Sequence, residues 1–121
     1  MSSIELNDEK AIDVLIFYVI GADGHIEYDE EQAAKRLLEA LDYDPESYYR
    51  ETVLHISGLS TEHTNELIDD AIDYICEHFD SDRRKYMFAL LENLASSDGH
   101  ISSNEKEKLD NLKDHFKKNN C

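Results

Sequence analysis

A duplicated segment constrains the fold of this chain more than any other feature of its sequence. Residues 22–30 read Ala-Asp-Gly-His-Ile-Glu-Tyr-Asp-Glu, and residues 97–105 read Ser-Asp-Gly-His-Ile-Ser-Ser-Asn-Glu. The four residues Asp-Gly-His-Ile are identical, and the final glutamate falls at the same spacing. Apolar residues recur at helical spacing on both sides of each segment, in the same alignment. The sequence therefore predicts an internal duplication, with helix–loop–helix repeats over residues 8–41 and 83–118.

The rest of the chain favours helices throughout. One proline and four glycines interrupt 121 residues, and this length suits a single domain over residues 1–121. Asp44 followed by Pro45 is typical of a helix start, and Thr61 precedes another apolar stripe. We predict an all-α, single-domain bundle of about six helices. The fourth buries Leu67, Ile68, Ala71, Ile72, Ile75 and Phe79, and the fifth turns Tyr86, Met87, Leu90, Leu91 and Leu94 inward.

The charge of the chain restricts its partners. There are 28 acidic residues against 12 Lys and Arg, a formal net charge of −16. Such a charge repels phosphate, which argues against nucleic acid and anionic membranes and favours cations or basic protein surfaces. The longest apolar stretch, residues 14–20, is too short to span a bilayer, so no direct membrane insertion is expected.

The cysteines and the start of the chain bear on its compartment. No secretory leader opens the sequence, and two cysteines make no disulfide framework. Cys76 lies on a predicted apolar stripe, where a small core residue is expected. These features predict a cytoplasmic protein.

The two Asp-Gly-His-Ile loops have a structural and a chemical interpretation. A glycine after a helix closes the helix end in the left-handed conformation, so the loops need no ligand. Asp, Gly, Ile and Glu also match the fifth, sixth, eighth and twelfth positions of a calcium-binding helix–loop–helix loop. However, the first and third positions, Val19 and Gly21 in one copy and Leu94 and Ser96 in the other, lack the expected carboxylates.

A cation site shared by both loops is the remaining chemical alternative. If the repeats pack about a twofold axis, Asp23 and Glu30 approach Asp98 and Glu105. Carboxylates that are held together repel each other unless a divalent cation screens them, and oxygen ligands suit calcium, magnesium or manganese. The sequence thus predicts a weak divalent-cation site at these four residues, with purely structural loops as the alternative.

A second group of acids lies on the fourth predicted helix. Asp69, Asp73 and Glu77 are spaced four apart and therefore share one helix face. This face is either a solvated surface or a docking strip for a basic partner. The docking hypothesis predicts salt-sensitive binding to a basic protein surface.

The two segments, each preceded by an apolar helix and each ending in glutamate, resemble the TerB-like family. That family includes the tellurite-resistance protein TerB and the N-terminal region of the DjlA co-chaperones, and the resemblance covers residues 8–118. It implies an all-helical fold of duplicated helix pairs in a cytoplasmic bacterial stress-response protein without catalytic activity. It also implies membrane-associated protein partners and metal-chelating carboxylates at Asp23, Glu30, Asp98 and Glu105.

From the residues alone, two further functions stay open beside a non-enzymatic interaction module. Clustered carboxylates could activate water in a metal-dependent hydrolase, which needs a shared acidic pocket. An acidic surface also fits an immunity or inhibitor protein that binds a basic partner.

Overall fold

The computed structural model describes residues 6–21, 28–95 and 103–118, which form six continuous helices and no strand. The first and third helices each contain a π-helical segment. In chain order the elements are α1 (Asp8–Ile16), π1 (Phe17–Gly21), α2 (Tyr28–Ala40), α3 (Pro45–Ser47), π2 (Tyr48–Val53), α4 (Leu54–Ser57), α5 (Thr61–His78), α6 (Ser81–Ala95) and α7 (Ser103–Lys118). The predicted all-α fold is confirmed. Among the helices described, none has the length and apolar character needed to cross a membrane.

Short polar side chains start four of the helices by accepting hydrogen bonds from first-turn amides that have no partner within the helix. These caps are Asn7, Asp44, Ser60 and Asp80, before α1, α3, α5 and α6. At the end of α2 the backbone turns through Asp42, whose φ is 62°, and Tyr43 N donates to Leu38 O at 2.8 Å. Asp tolerates this left-handed conformation, so the chain reverses into α3 without a glycine.

One hydrophobic core receives side chains from all six helices. Every residue of the stripe predicted for α5 is buried. The prediction for α6 is right for Met87, Leu91 and Leu94, whereas Leu90 is half-buried. It is wrong for Tyr86, which is 53% exposed. α6 is apolar on several sides, so its sequence pattern does not decide which side faces the core.

An ion pair joins the beginnings of the two repeats. Two residues that align between the repeats are called counterparts, and Asp8 and Arg83 are one such pair. Arg83 Nη2 lies 3.0 Å from Asp8 Oδ2. In a twofold arrangement, a residue contacts its own counterpart only near the axis.

The helices of the two repeats also pack in matching ways. α2 contacts α6, and α7 contacts π1, so the second helix of each repeat lies against the first helix of the other. Lys108 Nζ is 4.8 Å from the ring centroid of Tyr18. Their counterparts, Ala33 and Asn93, line a common groove between α2 and α6. These matched contacts are those that a twofold relation between the repeats produces.

Cys76 is not the small core residue that its position on the apolar stripe of α5 predicts. The residue is half-buried on α5 and disulfide-bonded. The periodicity of one helix carries no information about disulfide bonding, so the sequence pattern could not predict it.

Candidate functional site

Of the four predicted cation ligands, Glu105 is the one whose side chain the structure describes. It lies in the first turn of α7 and is only 9% exposed. Asp23 and Asp98 lie outside the described residues, as does the side chain of Glu30, whose backbone belongs to the first turn of α2. Within the described ranges, no three His, Cys, Asp or Glu side chains come together as metal ligands would.

α7 packs against π1. Lys108, which contacts the ring of Tyr18, is about one turn after Glu105. Tyr18 lies about one helical turn before Gly21, the residue at which π1 ends. The helix that leaves the second loop is therefore next to the helix that enters the first loop. A carboxylate at Glu105 supplies the oxygen donors that calcium, magnesium and manganese prefer.

The predicted docking strip on α5 is exposed at all three positions, Asp69, Asp73 and Glu77. Asp69 Oδ1 lies 3.3 Å from His115 Nε2 on α7. This contact is an ion pair when the imidazole is protonated. The strip therefore borders the second repeat, and one of its acids already contacts that repeat.

A buried polar cluster that the sequence analysis missed lies between α1 and π2. The carboxyl group of Asp13 is completely buried, and Thr52, also fully buried, donates a hydrogen bond to its Oδ2 at 3.3 Å. The other oxygen, Oδ1, has no hydrogen-bond partner among the described residues. Burial raises the pKa of Asp13 to about 7, although the attraction of Lys10 opposes this shift. The available signal was an acid within the apolar run of residues 11–16.

Lys10 connects this cluster to the surface. Its Nζ donates to Ser47 Oγ at 2.7 Å, contacts Glu51 Oε2 and lies 4.0 Å from Asp13 Oδ2. Ser47 Oγ in turn donates to Glu51 Oε2 at 2.6 Å. The hydrogen bonds from Lys10 and Ser47 lower the pKa of Glu51 below its usual value. Together these contacts hold residues 45–57 against α1.

Asp8 is the centre of a second polar group, at the meeting point of α1, α5 and α6. Tyr74 Oη donates to Asp8 Oδ1 at 2.9 Å, and Arg83 contacts Oδ2. Partial burial opposes ionisation, but the hydrogen bonds from Tyr74 and Arg83 outweigh it and lower the pKa of Asp8. The bond to Asp8 also raises the pKa of Tyr74. These contacts keep the beginnings of α1 and α6 together.

Comparison with known proteins identifies the family. The family model described as "Tellurite resistance protein TerB" matches residues 9–120. Neither a curated protein nor a solved structure matches the chain. Since the family match spans nearly the whole sequence and agrees with the duplicated helical fold, this protein belongs to the TerB family.

Proposed function

We propose that this chain is a non-catalytic, acidic interaction module of a bacterial stress response, such as tellurite resistance. In this proposal, Asp23, Glu30, Asp98 and Glu105 bind one divalent cation weakly. A basic protein partner, such as a membrane-associated one, contacts the acidic strip of α5. Family membership supports the general role, and the burial of Glu105 is the observation that carries the cation site.

The burial of Glu105 supports a cation because a carboxylate withdrawn from water gains most from nearby positive charge, which a bound divalent cation would supply. Its place in the first turn of α7 supplies some compensation, since exposed amides and the helix dipole favour negative charge there. The contact between π1 and α7 adds support, because π1 leads into the first loop and α7 follows the second. The bound cation would supply positive charge that relieves repulsion among the four carboxylates.

Titration calorimetry with calcium, magnesium and manganese tests the cation site. We expect one equivalent to bind, with a Kd of about 10⁻⁴–10⁻³ M, the weak end for oxygen-ligand sites. The double variant Asp23→Ala/Asp98→Ala should show no saturable heat. Glu62→Ala/Glu66→Ala on α5 removes the same charge away from the loops and should bind as the unchanged protein does. Identical titrations for all three proteins would contradict the proposal.

The acidic strip is tested separately by retention on a poly-lysine surface. We expect Asp69→Asn/Asp73→Asn to elute at lower salt than the unchanged protein, because two exposed charges of the contact face are lost. Glu39→Gln/Glu107→Gln changes the net charge equally, at exposed positions of α2 and α7. If both variants elute together, net charge and not this helix face governs binding.

A cytoplasmic location forms part of the proposal and rests on the family resemblance. Disulfides such as that of Cys76 are more frequent in oxidising compartments, so cell fractionation is the direct check. The described residues do not single out the hydrolase or the immunity-protein alternative.

A further inference from the structure

A groove of about 760 Å³ lies open between α6 and α7. Its apolar lining consists of Phe88, Ala89 and Phe116. Phe88 is half-buried and Ala89 is exposed, although both belong to a continuous apolar run in α6. α6 therefore has more apolar surface than the core covers, and Phe88 and Ala89 present part of it to this groove.

The corresponding place in the first repeat, beside α1 and α2, is occupied by residues 45–57, which contact both helices. The counterparts of Arg84, Lys85 and Phe88 are Glu9, Lys10 and Asp13. All three counterparts make polar contacts with residues 44–52. Glu9 accepts a hydrogen bond from the amide of residue 44, and Lys10 contacts Ser47 and Glu51. Asp13 accepts from the hydroxyl of residue 52.

Counterparts on α1 and α6 also differ in how far their side chains are buried. Val14 is 0% exposed in the first repeat, whereas its counterpart Ala89 is exposed. Lys10 is partly buried beneath its partners, whereas Lys85 is exposed. Within the described part of the chain, α6 and α7 have no helix corresponding to residues 45–57. The second repeat thus presents a binding surface that the first repeat covers with its own sequence.

We propose that the groove between α6 and α7 binds an amphipathic helix of a partner protein, in the position that residues 45–57 occupy on α1 and α2. Helices commonly recognise partners by laying an apolar face into such a groove. This surface is distinct from the cation site and from the acidic strip of α5, so the proposal does not rest on either.

The side chains of the groove define the chemistry of the partner helix. Lys85 is identical to its counterpart Lys10, which contacts Glu51. Lys85 therefore favours a carboxylate at the equivalent position of the partner helix. Arg84 replaces Glu9 and favours an acidic residue at the start of the bound helix. Phe88 replaces Asp13 and favours an apolar residue in place of Thr52.

The charge balance of the groove agrees with an acidic, amphipathic helix. Four cationic side chains line it, in a chain of net charge −16: Arg84, Lys85, Lys113 and Lys117. Three acids also line it: Glu92, Asp110 and Asp114. The groove lining therefore carries a small excess of positive charge in an otherwise acidic chain, which favours acidic residues on the bound helix.

A synthetic peptide of residues 43–58 carrying Thr52→Leu is the probe, titrated into the 121-residue protein and followed by amide NMR shifts. We expect saturable shifts at α6 and α7, and tighter binding than for the peptide with Thr52. Lys85→Glu should weaken binding about tenfold, because it replaces attraction with repulsion. Lys106→Glu, an exposed change on α7 outside the groove, should leave the affinity unchanged within about twofold.

A second protein variant keeps the net charge constant. Ala89→Trp fills the apolar lining at an exposed position, so we expect a folded protein that does not bind the peptide. The proposal is overturned if no saturable shift occurs, or if neither Lys85→Glu nor Ala89→Trp weakens binding. It is also overturned if the protein alone sediments as a dimer that Ala89→Trp converts to a monomer, since a second copy would then occupy the groove.

Discussion

Asp13→Asn is expected to stabilise the protein at pH 8 by about 4 kcal/mol, because burial raises the pKa of Asp13 from 3.8 to about 7 and one pKa unit corresponds to about 1.4 kcal/mol. The carboxyl ionises near pH 3.8 in the unfolded chain and near pH 7 in the folded protein. The folded state therefore holds the proton more tightly, and its relative stability falls as the pH rises through this interval. Below about pH 4 Asp13 is neutral in both states, and the penalty is absent. Above pH 7 the penalty is complete.

Urea unfolding at pH 4, 6 and 8 measures this effect. The gain from Asp13→Asn should be close to zero at pH 4 and largest at pH 8. Asp70→Asn, at an exposed position of α5, removes the same charge and controls for the general relief of acidic repulsion. Lower stability of Asp13→Asn at pH 8 would mean that the attraction of Lys10 outweighs the cost of burying the charge.

Leu15→Ala should destabilise the protein by about 3 kcal/mol, in the range for buried leucines whose removal leaves a cavity. Leu15 is 0% exposed on α1, whereas its counterpart Leu90 is half-buried beside the groove between α2 and α6. Leu90→Ala should cost only about 1 kcal/mol, because less apolar surface returns to water.

The pair of variants tests how differently the two repeats bury equivalent residues. Midpoints of urea unfolding at one pH give both values from the same experiment. Equal losses for Leu15→Ala and Leu90→Ala would contradict this asymmetry, in which Leu15 is fully buried and its counterpart Leu90 is only half-buried.

Local patterns made the helices predictable. α5 illustrates this, because Ser60 caps its first turn and its apolar residues recur at helical spacing. The π-helical segments could not be predicted, since their wider turns depend on contacts with other helices. The outward direction of Tyr86 was also beyond sequence reasoning, because the continuous apolar run of residues 86–91 gives α6 more than one apolar side.

The candidate sites also differ in how far they could be predicted from the sequence. Exposure of the α5 acids follows from their spacing opposite the buried stripe, so this part could be anticipated. The burial of Asp13 depends on residues 45–57 folding back onto α1, through a hydrogen bond to Thr52 that spans 39 positions. Likewise, the groove between α6 and α7 becomes visible only when its counterpart on α1 and α2 is known.

The central claim, that corresponding carboxylates of two duplicated loops bind one cation, is tested most directly by diffraction from crystals soaked in manganese. Anomalous scattering locates manganese independently of the protein coordinates. We predict one strong peak in contact with carboxylates from both segments, Asp23 and Glu30 on one side and Asp98 and Glu105 on the other. The account would be contradicted if both loops were fully ordered but bound no manganese. The manganese peaks would then lie only at other acids, such as the strip on α5.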